Sequence, residues 1–453
     1  MARTKKGTAL TPEERLQAAL VPDWEWPHKL PGNWCWTNWG ECGEFVAGSG
    51  FKNEYQGFTK YDIPFYKVSS LKTANGTGYL CDNTNTVDET VRKKLKAALI
   101  PANSLLFAKI GEAIRLNRRA INTVPCCVDN NMMAFIPIIC QLKYAFYWSK
   151  GIDLYDFTNA TTVPAIRKTD LEKISFPLAP LAEQQRIVDR IESLFAKLDE
   201  AKEKAQAVLD SFETRKAAIL HKAFTGELTA KWREEHGSSI GHWKECSIGD
   251  VFTHTTGKAL KRNNQNGILK KYITTSNLYW GTFDFSEVRE MYFTNEELEK
   301  CTAKKGDLLV CNGGDVGRAA IWNYDYDICL QNHISKLRRK TDSISVPFFY
   351  YYFMFLKING NIAGRGIGIA SLSAKDLLAI KVYLPPMTEQ QQISHILDEL
   401  FDKEQQTKEA AEAVLDRIEL MKKSILARAF RGELGTNDPS EESAVELLKR
   451  TIL

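Results

Sequence analysis

Two stretches of this sequence decide the fold: PLAEQQRIVDRIESLF…AAILHKAFTGEL at residues 180–228 and PMTEQQQISHILDELF…KSILARAFRGEL at residues 386–434. They align without a gap, and 24 of 49 positions are identical. Self-similarity of this kind indicates a repeated structural unit and has to be recognised before other elements are assigned. The chain is therefore predicted to consist of two copies of one unit.

The repeat extends outward from these stretches in a weaker form. The matching residues are Gly32-Asn33-Trp34 with Gly241-His242-Trp243, Tyr66, Ser69 and Ser70 with Tyr272, Thr275 and Ser276, and Leu105-Leu106-Phe107 with Leu308-Leu309-Val310. Each copy is thus a variable domain followed by one strongly similar segment. The predicted divisions are an N-terminal segment 1–30, a first variable domain 31–179, a first helix segment 180–228, a linker 229–241, a second variable domain 242–385, a second helix segment 386–434 and a C-terminal tail 435–453.

The two similar segments have the heptad spacing of a coiled coil. The predicted seam positions, which alternate in steps of four and three, are Ile187, Ile191, Leu194, Leu198, Ala201, Ala205, Val208, Phe212 and Ile219, and Ile393, Leu397, Leu400, Thr407, Ala411, Val414, Ile418, Met421 and Ile425. Arg215 and Glu404 interrupt the two patterns. Good helix formers fill the other positions, no Gly or Pro interrupts either segment, and Gly226 and Gly432 suit C-terminal caps.

Two equal helices on one chain, with a domain between them that can return the chain, favour antiparallel pairing within the molecule over pairing between molecules. A second apolar set flanks the predicted seam: Phe195, Leu209, Phe224, Phe401, Leu415 and Phe430. These side chains either pack against the chain's own variable domains or dock a partner subunit. The pattern alone does not separate the two readings.

The variable domains mix short strand patterns with helices. In the second domain, residues 271–278, 307–312 and 319–324 read as strands, and residues 294–301 and 346–357 read as helices. The predicted fold class is therefore α+β: two mixed domains joined to two long helices that form an antiparallel coiled coil, arranged as a pseudo-two-fold repeat.

Polar residues in the turns of both variable domains are candidates for DNA contact. Arg, Lys, Asn and Gln on loops suit phosphate contact and groove readout, and their recurrence in both halves strengthens the assignment. The candidates are Lys52, Lys67, Ser69, Ser70, Lys109, Arg115, Arg118, Lys258, Lys261, Arg262, Thr275, Ser276, Asn277, Arg318 and Arg365.

The composition is that of a globular protein and narrows the class of function. Lys and Arg total 60 and Asp and Glu total 56, so the formal net charge of +4 permits a nucleic-acid partner without arguing for one. The N-terminal residues have no hydrophobic segment, and the ten cysteines form no CxxC pair. We therefore expect a cytoplasmic protein with free thiols and no zinc site.

Catalytic motifs are missing from the sequence. We find no GxxxxGK[ST] or HExxH motif, no GxSxG nucleophile elbow and no Asn/Asp-Pro-Pro-aromatic tetrapeptide. We therefore predict that this chain carries out no catalysis itself.

The whole arrangement resembles the specificity (S) subunit of Type I DNA restriction–modification systems. The resemblance lies in two variable domains alternating with two similar helices, each starting Pro-x-x-Glu-Gln-Gln and ending Ala-Phe-x-Gly-Glu-Leu. In this sequence the motifs are Pro180 with Glu183-Gln184-Gln185 and Pro386 with Glu389-Gln390-Gln391. The match runs from about residue 31 to residue 434.

The resemblance implies that each variable domain recognises one half of a bipartite site in double-stranded DNA and that the helices set the spacer between the halves. It implies two modification (methyltransferase) subunits that bind S-adenosylmethionine, and restriction subunits that use ATP and Mg. No cofactor would be bound by this chain, and no membrane would be involved. The alternatives are a coiled-coil adaptor whose domains bind proteins and, less favoured, a stand-alone nuclease or methyltransferase.

Overall fold

The computed structural model describes residues 11–80, 82–159, 163–260, 265–362 and 371–452. The chain divides into two compact units, Met1–Glu203 with Val414–Leu453 and Lys204–Ala413, which we call the first and second unit. Each unit holds one variable domain and parts of both helix segments. None of the helices in the described ranges has the length and hydropathy that a membrane span requires.

The first unit contains the first variable domain. Its strands are β1 (Cys35–Asn38), β2 (Gly43–Ala47), β3 (Ile63–Tyr66), β4 (Thr86–Val87), β5 (Leu105–Ala108), β6 (Arg119–Ile121), β7 (Cys127–Val128), β8 (Met132–Pro137) and β9 (Ser175–Leu178). Its helices begin with α1 (Pro12–Ala19), α2 (Glu89–Lys94), α3 (Leu142–Gly151), α4 (Lys168–Leu171) and α5 (Leu181–Asp210). The strands form sheets of order β2-β8-β5-β6 and β4-β3-β7 and the pair β1-β9.

The second unit contains the second variable domain. Its helices are α6 (Phe212–Phe224), α7 (Ala230–Glu235), α8 (Ile248–Val251), α9 (Asn295–Cys301), α10 (Val346–Ile358) and α11 (Ala374–Leu378). Its strands are β10 (Lys244–Ser247), β11 (Phe252–Thr256), β12 (Ile268–Ile273), β13 (Leu278–Tyr279), β14 (Thr282–Phe283), β15 (Arg289–Phe293), β16 (Thr302–Ala303), β17 (Leu308–Cys311), β18 (Ala319–Ile321), β19 (Ile328–Leu330), β20 (Ile334–Arg339) and β21 (Lys381–Leu384). The long α12 (Met387–Ala429) runs on into the first unit, where α13 (Ala444–Ile452) also lies.

The main sheets of the two units have equivalent strand orders, which confirms the repeat and the α+β class. The order β11-β20-β17-β18 matches β2-β8-β5-β6, and the parallel pair β12–β19 matches β3–β7. In both central strands, Leu105–Ala108 and Leu308–Cys311, every residue is buried. A strand covered on both faces has to be apolar throughout, and this is why these runs were visible in the sequence.

The secondary structure predicted for the second domain is confirmed. The residues read as strands, 271–278, 307–312 and 319–324, contain parts of β12 and β13, all of β17 and all of β18. The two predicted helices are α9 and α10. Thr294 caps α9, because its hydroxyl accepts a hydrogen bond from the backbone N–H of Glu297.

The helix segments pair antiparallel inside each unit. In the first unit, Asp199 pairs with Lys422, and Lys202 lies 3.1 Å from Glu419. In the second unit, Arg215 lies 2.8 Å from Glu404, and the Lys408 ammonium lies 5.2 Å from the Phe212 ring centre. In each unit the residue numbers of the partners increase along one helix and decrease along the other. The predicted intramolecular antiparallel pairing is therefore confirmed.

The first helix segment is not one continuous helix as predicted, because a one-residue turn at Ser211 separates α5 from α6. The Ser211 hydroxyl donates to the Ala207 carbonyl at 2.8 Å, and the Arg215 guanidinium donates to the Val208 carbonyl at 3.2 Å. Side chains that take backbone carbonyls compete with helical hydrogen bonds and bend helices. The second copy has Arg417 in place of Ser211, and α12 is uninterrupted over 43 residues.

The predicted seam is wrong in the middle of α12. Thr407, Val414 and Met421 are exposed, whereas Leu415 is half-buried on the covered side. An α-helix has 3.6 residues per turn, so a strict heptad assignment drifts across its surface. The two residues that interrupted the heptads, Arg215 and Glu404, pair with each other.

The N-terminal segment and the C-terminal tail are both part of the first unit's core. Ala19 of α1 belongs to the same buried cluster as Ala444 and Leu448 of α13, and both α13 residues are fully buried. The Asn33 side chain donates to the Asp438 carbonyl at 2.9 Å. The predicted tail 435–453 therefore contributes to packing around the first variable domain.

Candidate nucleic-acid interface

The first glutamine of each Pro-x-x-Glu-Gln-Gln motif fixes a variable domain to a long helix. The Gln184 side chain accepts from the backbone N–H of Gln141 at 2.7 Å and donates to the Ala179 carbonyl at 2.8 Å. Gln390 does the same with Ser345 and Pro385, at 2.9 Å each. Gln141 and Ser345 directly precede α3 and α10. The motif thus sets the positions of α3 and α10.

The glutamate of each motif is fully buried and linked to a threonine that follows the other helix segment. Glu389 accepts from the Thr229 hydroxyl at 2.7 Å, and Glu183 accepts from the Thr436 hydroxyl at 2.7 Å. Arg233 donates to Glu389 at 2.6 Å, and Arg186 donates to Glu183 at 2.7 Å. Two buried carboxylates are therefore paired with charged and neutral donors, as burial requires.

Four phenylalanines of the flanking set pack against the chain's own variable domains. Ring centres lie 5.1 Å apart for Phe430 and Tyr144, and 5.3 Å apart for Phe224 and Phe348. The others are Phe195 with Tyr147 at 5.9 Å and Phe401 with Tyr351 at 5.6 Å. All four rings therefore pack against the chain's own domains, and Phe430 is buried. Docking of a partner subunit at these four residues stays a prediction. Docking at the half-buried Leu209 and Leu415 stays a prediction.

Ser70 and Asn277 are wrong as DNA contacts, because both are buried and each side chain forms a hydrogen bond within its own loop. The Ser70 hydroxyl accepts from the backbone N–H of Lys67 at 3.1 Å, and the Asn277 side chain accepts from that of Thr274 at 2.9 Å. The two residues therefore occupy equivalent places, one position away from the match the sequence suggested. Ser69 then corresponds to Ser276, and both are exposed.

Lys258 is also wrong as a DNA contact. Its ammonium donates to the Tyr292 carbonyl at 2.7 Å and pairs with Glu297 at 2.5 Å, and the residue is 8% exposed. A buried, paired cation of this kind stabilises the domain and is not available to a phosphate.

Arg318 braces a loop of the second domain. Its guanidinium donates to the Thr275 carbonyl at 2.6 Å, pairs with Asp315 at 3.4 Å and lies 5.2 Å from the Tyr279 ring centre. Lys357 reaches the same Asp315 carboxylate at 2.7 Å. The predicted residues Thr275 and Arg318 are thus brought together at one edge of the domain.

The equivalent edge of the first domain holds Arg115 and Arg118. The strand registers, Leu105 with Ile121 and Leu308 with Ile321, make Arg118 the counterpart of Arg318. Arg118 is exposed, and Arg115 lies 3.5 Å from the Tyr155 ring centre. The loop before Arg118 is longer than the loop before Arg318.

The remaining candidates divide by exposure. Lys52 is exposed, and Lys67 donates to the Gln56 side chain at 2.8 Å. Lys109 is half-buried, and burial lowers the pKa of its amine against the opposing effect of the Asp129 carboxylate. Lys261, Arg262 and Arg365 lie outside the described residues. Direct contact of any candidate with DNA stays a prediction.

Two tyrosines beside these arginines were not among the candidates predicted from the sequence. Tyr279 is 46% exposed next to Arg318, and Tyr155 stacks with Arg115. Aromatic rings that carry arginines are suited to hold a guanidinium flat at a surface. Tyr279 closely follows the predicted polar residues 275–277, so the sequence could have indicated it. Tyr155 is 40 residues from Arg115, and no local pattern links the two.

Thiols and metal-binding groups show no site in the described part of the chain. The nine cysteines described there are free, and burial raises the pKa of Cys35 to about 12. No cluster of His, Cys, Asp or Glu in the described ranges could hold a metal ion.

The comparisons with known proteins agree with the repeat. A family model described as "Type I restriction modification DNA specificity domain" matches residues 32–209 and 241–415. The specificity subunit of the Type I restriction enzyme EcoKI of Escherichia coli K12 is 25% identical over 278 residues, covering 59% of this chain and 60% of that protein. The StySPI specificity subunit of Salmonella potsdam is 25% identical over 305 residues, covering 64% of each chain.

The solved structures that match share the fold. The HsdS subunit from Thermoanaerobacter tengcongensis has a TM-score of 0.64 at 19% identity, covering 90% of this chain and all of that one. The alignments with the two curated relatives span 60% and 64% of those proteins' length. The family model covers most of this chain in two consecutive copies. The chain therefore belongs to the family of Type I restriction–modification DNA specificity domains and carries that domain twice.

Proposed function

We propose that this chain is the DNA-recognition subunit of a Type I restriction–modification complex. The observation that carries the proposal is the family match in two copies, each copy a variable domain that runs into a long helix. In this proposal each variable domain recognises one half of a bipartite site in double-stranded DNA. The helices set the distance between the halves.

The proposed partners supply the chemistry. Two modification subunits would bind S-adenosylmethionine and methylate adenine, and restriction subunits would use ATP and Mg for translocation and cleavage. This chain would bind none of these cofactors and would act in the cytoplasm. One structure that shares the fold, at a TM-score of 0.64 and 18% identity, is described as underlying "complex assembly" of "the type I R-M system", which supports partners of this kind.

The equivalent edges around Arg118 and Arg318 are the proposed DNA contacts. Exposed Arg118, Ser69 and Ser276 offer donors for phosphates and base edges, and Tyr279 offers a flat surface beside Arg318. Arginine on a loop suits bidentate contact with a guanine edge or with phosphate. The net charge of +4 is small for a protein that binds DNA alone, which supports a share of the affinity coming from the partners.

The test is a map of adenine methylation. The chain is co-expressed with the modification subunit encoded beside it, in a host that lacks both, and methylated positions are mapped across the genome. We expect one motif of two short defined halves separated by a fixed gap. Absence of methylation from a folded, associated complex would contradict the proposal and favour a protein-binding adaptor.

Paired variants assign the halves. Arg118→Ala should weaken or relax recognition of one half-site only, and Arg318→Ala should do so for the other half. Circular dichroism of each purified variant checks that it has folded. An equal loss of methylation at all sequences for either variant would mean phosphate contact, and a change in both halves from one variant would contradict the division between the domains.

A further inference from the structure

The first unit contains a cavity of about 440 Å³ that the proposed function does not use. Its walls come from the end of α3, the strand pair β1-β9, the end of α12 and the N-terminal segment at Pro27 and His28. Trp36, Trp148 and Phe430 contribute aromatic surface. We call this cavity the aromatic cleft.

The aromatic cleft exists because one aromatic side chain of the repeat is missing. Hydrogen bonds of Gln141 and Ser345 with the equivalent glutamines align α3 with α10, and this alignment matches Gly151 with Phe355. In the second unit the Phe355 ring lies 5.1 Å from the Phe224 ring and 6.0 Å from the Tyr352 ring. In the first unit the counterpart of that ring is the hydrogen of Gly151, which lines the cleft.

The backbone does not require glycine at this position. Gly151 is the last residue of α3 and is not among the glycines with positive φ. A Cβ added there would meet only the Leu426 side chain, at 3.6 Å, which is an ordinary van der Waals contact. A larger side chain could therefore occupy the space, and the cleft is not a consequence of close backbone packing.

The cleft has the chemistry of a ligand site. Its volume lies within the range of small-molecule pockets, which are mostly apolar with a few placed polar groups. Among the described residues, the polar groups that line the cleft are His28, Lys173, Ser175 and Arg431, and none of the lining residues is a carboxylate. Lys173 and Arg431 are exposed, and neither has an ion-pair partner in the described part of the chain.

We infer that the aromatic cleft binds a small, planar aromatic molecule that carries an anionic group. The indole and phenyl surfaces would contact the ring system, and Lys173 with Arg431 would neutralise the anion. A partner subunit's side chain fits less well, because the two equal modification subunits of the proposed function would find a cleft at Gly151 but a phenylalanine ring at Phe355. Only this last argument rests on the proposed function.

The probe for the test is 1-anilinonaphthalene-8-sulfonate, an aromatic sulfonate whose fluorescence rises in apolar surroundings. It is titrated into the full chain, and stoichiometry is taken from calorimetry. We expect one site per chain that Gly151→Phe weakens by at least about tenfold, since the new ring would fill the cleft as Phe355 does. Gly151→Leu is the second variant in case the larger ring disturbs folding.

The anionic part of the inference is tested separately. Lys173→Gln with Arg431→Gln should weaken binding of the sulfonate severalfold and leave binding of neutral N-phenyl-1-naphthylamine unchanged, because only the charge interaction is lost. The exposed Lys197→Gln on α5 is the matched control and should change neither. Equal weakening of both probes would contradict an anion-binding role for the two cations.

The reciprocal variant uses the second unit. Phe355→Ala removes the ring that corresponds to the missing one and should add a second site for the neutral N-phenyl-1-naphthylamine, since Ala379 and Thr225 replace the two cations there. A stoichiometric site that persists unchanged in both Gly151 variants would overturn the inference, as would absence of any stoichiometric site. Because these titrations need no DNA or modification subunit, their failure is distinguishable from a failure of the methylation test.

Discussion

The two units hold the same buried glutamate in different ways. In the second unit, Glu389 accepts from Thr229, Arg233 and Trp243 at 2.7, 2.6 and 3.0 Å. All three donors lie in one continuous stretch, 229–243, which spans the linker and the first residues of the second variable domain. The carboxylate is thus surrounded by donors that are close to one another in the chain.

In the first unit, Glu183 receives one donor from its own helix and one from the C-terminal tail. The Thr436 hydroxyl comes from the C-terminal tail, and Arg186, on α5 itself, is shared with Glu441 of the tail at 2.8 Å. Trp34, the counterpart of Trp243, has a buried indole N–H that finds no hydrogen-bond partner among the described residues. The buried glutamate therefore takes its donors from the single segment 229–243 in the second unit, and from α5 and the C-terminal tail in the first, so the units should differ in what destabilises them.

Removal of the tail should have the largest effect. A chain ending at Leu434 loses the Thr436 donor and the fully buried Ala444 and Leu448. We expect the first unit to lose more than about 4 kcal/mol of stability, since the truncation removes buried apolar side chains and a partner of a buried charge at the same time. Hydrogen exchange should rise in α3 and stay unchanged in α10. A chain ending at Thr451 is the control, and equal loss in both units would contradict the comparison.

Substitution of the arginines that pair with the two buried glutamates should have the next largest effect on stability. Arg233 is 10% exposed at its side chain and pairs with a fully buried carboxylate, so Arg233→Ala leaves that charge with reduced compensation. We expect a loss of about 3–5 kcal/mol in the second unit. Arg186 is 38% exposed, and Arg186→Ala should cost about 1 kcal/mol in the first unit.

Denaturant titration followed by hydrogen exchange in each unit measures both losses. Arg190→Ala, on the exposed side of α5, is the control for removal of a helix arginine. A larger loss of stability for Arg186→Ala than for Arg233→Ala would contradict this ranking. It would mean that Glu183 depends more on its arginine than Glu389 does.

The ion pair between Arg215 and Glu404 offers a smaller effect. Glu404→Leu leaves the Arg215 guanidinium without its partner and should lower the melting temperature. The double variant Arg215→Leu with Glu404→Leu restores a regular apolar seam and should recover that loss, as replaced buried ion pairs often do. Thermal unfolding of the four members of this cycle checks the prediction. Additive losses would show that the two residues do not interact.

The tryptophans should give the smallest difference. Trp243→Phe removes a donor to a buried carboxylate and should cost about 1.5–3 kcal/mol, partly offset by solvent access. Trp34→Phe removes a buried N–H without a partner and should change stability by less than about 1 kcal/mol. Urea titrations of the two variants compare them directly, and similar losses would imply that Trp34 has a partner in solution.

The sequence by itself determined the repeat, the helix segments and the buried central strands. Periodicity and composition act locally, so the apolar run at Leu308 and the heptads from Ile187 and Ile393 were readable without any contact information. The motif ends at Gly226 and Gly432 were readable for the same reason, and both glycines have the positive φ of helix caps.

Only the tertiary structure decided which polar residues are free. Ser70, Asn277 and Lys258 resembled loop residues that could contact DNA, but each bonds within its own domain and is buried. Short-range sequence carries no information on whether a partner such as Glu297 lies close in space. The same holds for the first variable domain's Gly151, whose significance appears only when α3 is compared with α10.

The seam register and the partners of Glu183 also depended on the tertiary structure. Heptad counting placed Val414 and Met421 inside, whereas the helix turn and the facing residues place them at the surface. The residue that completes the Glu183 site, Thr436, lies at the far end of the chain. Local sequence specified the elements, and contacts between residues distant in sequence specified which of their side chains are buried, paired or available.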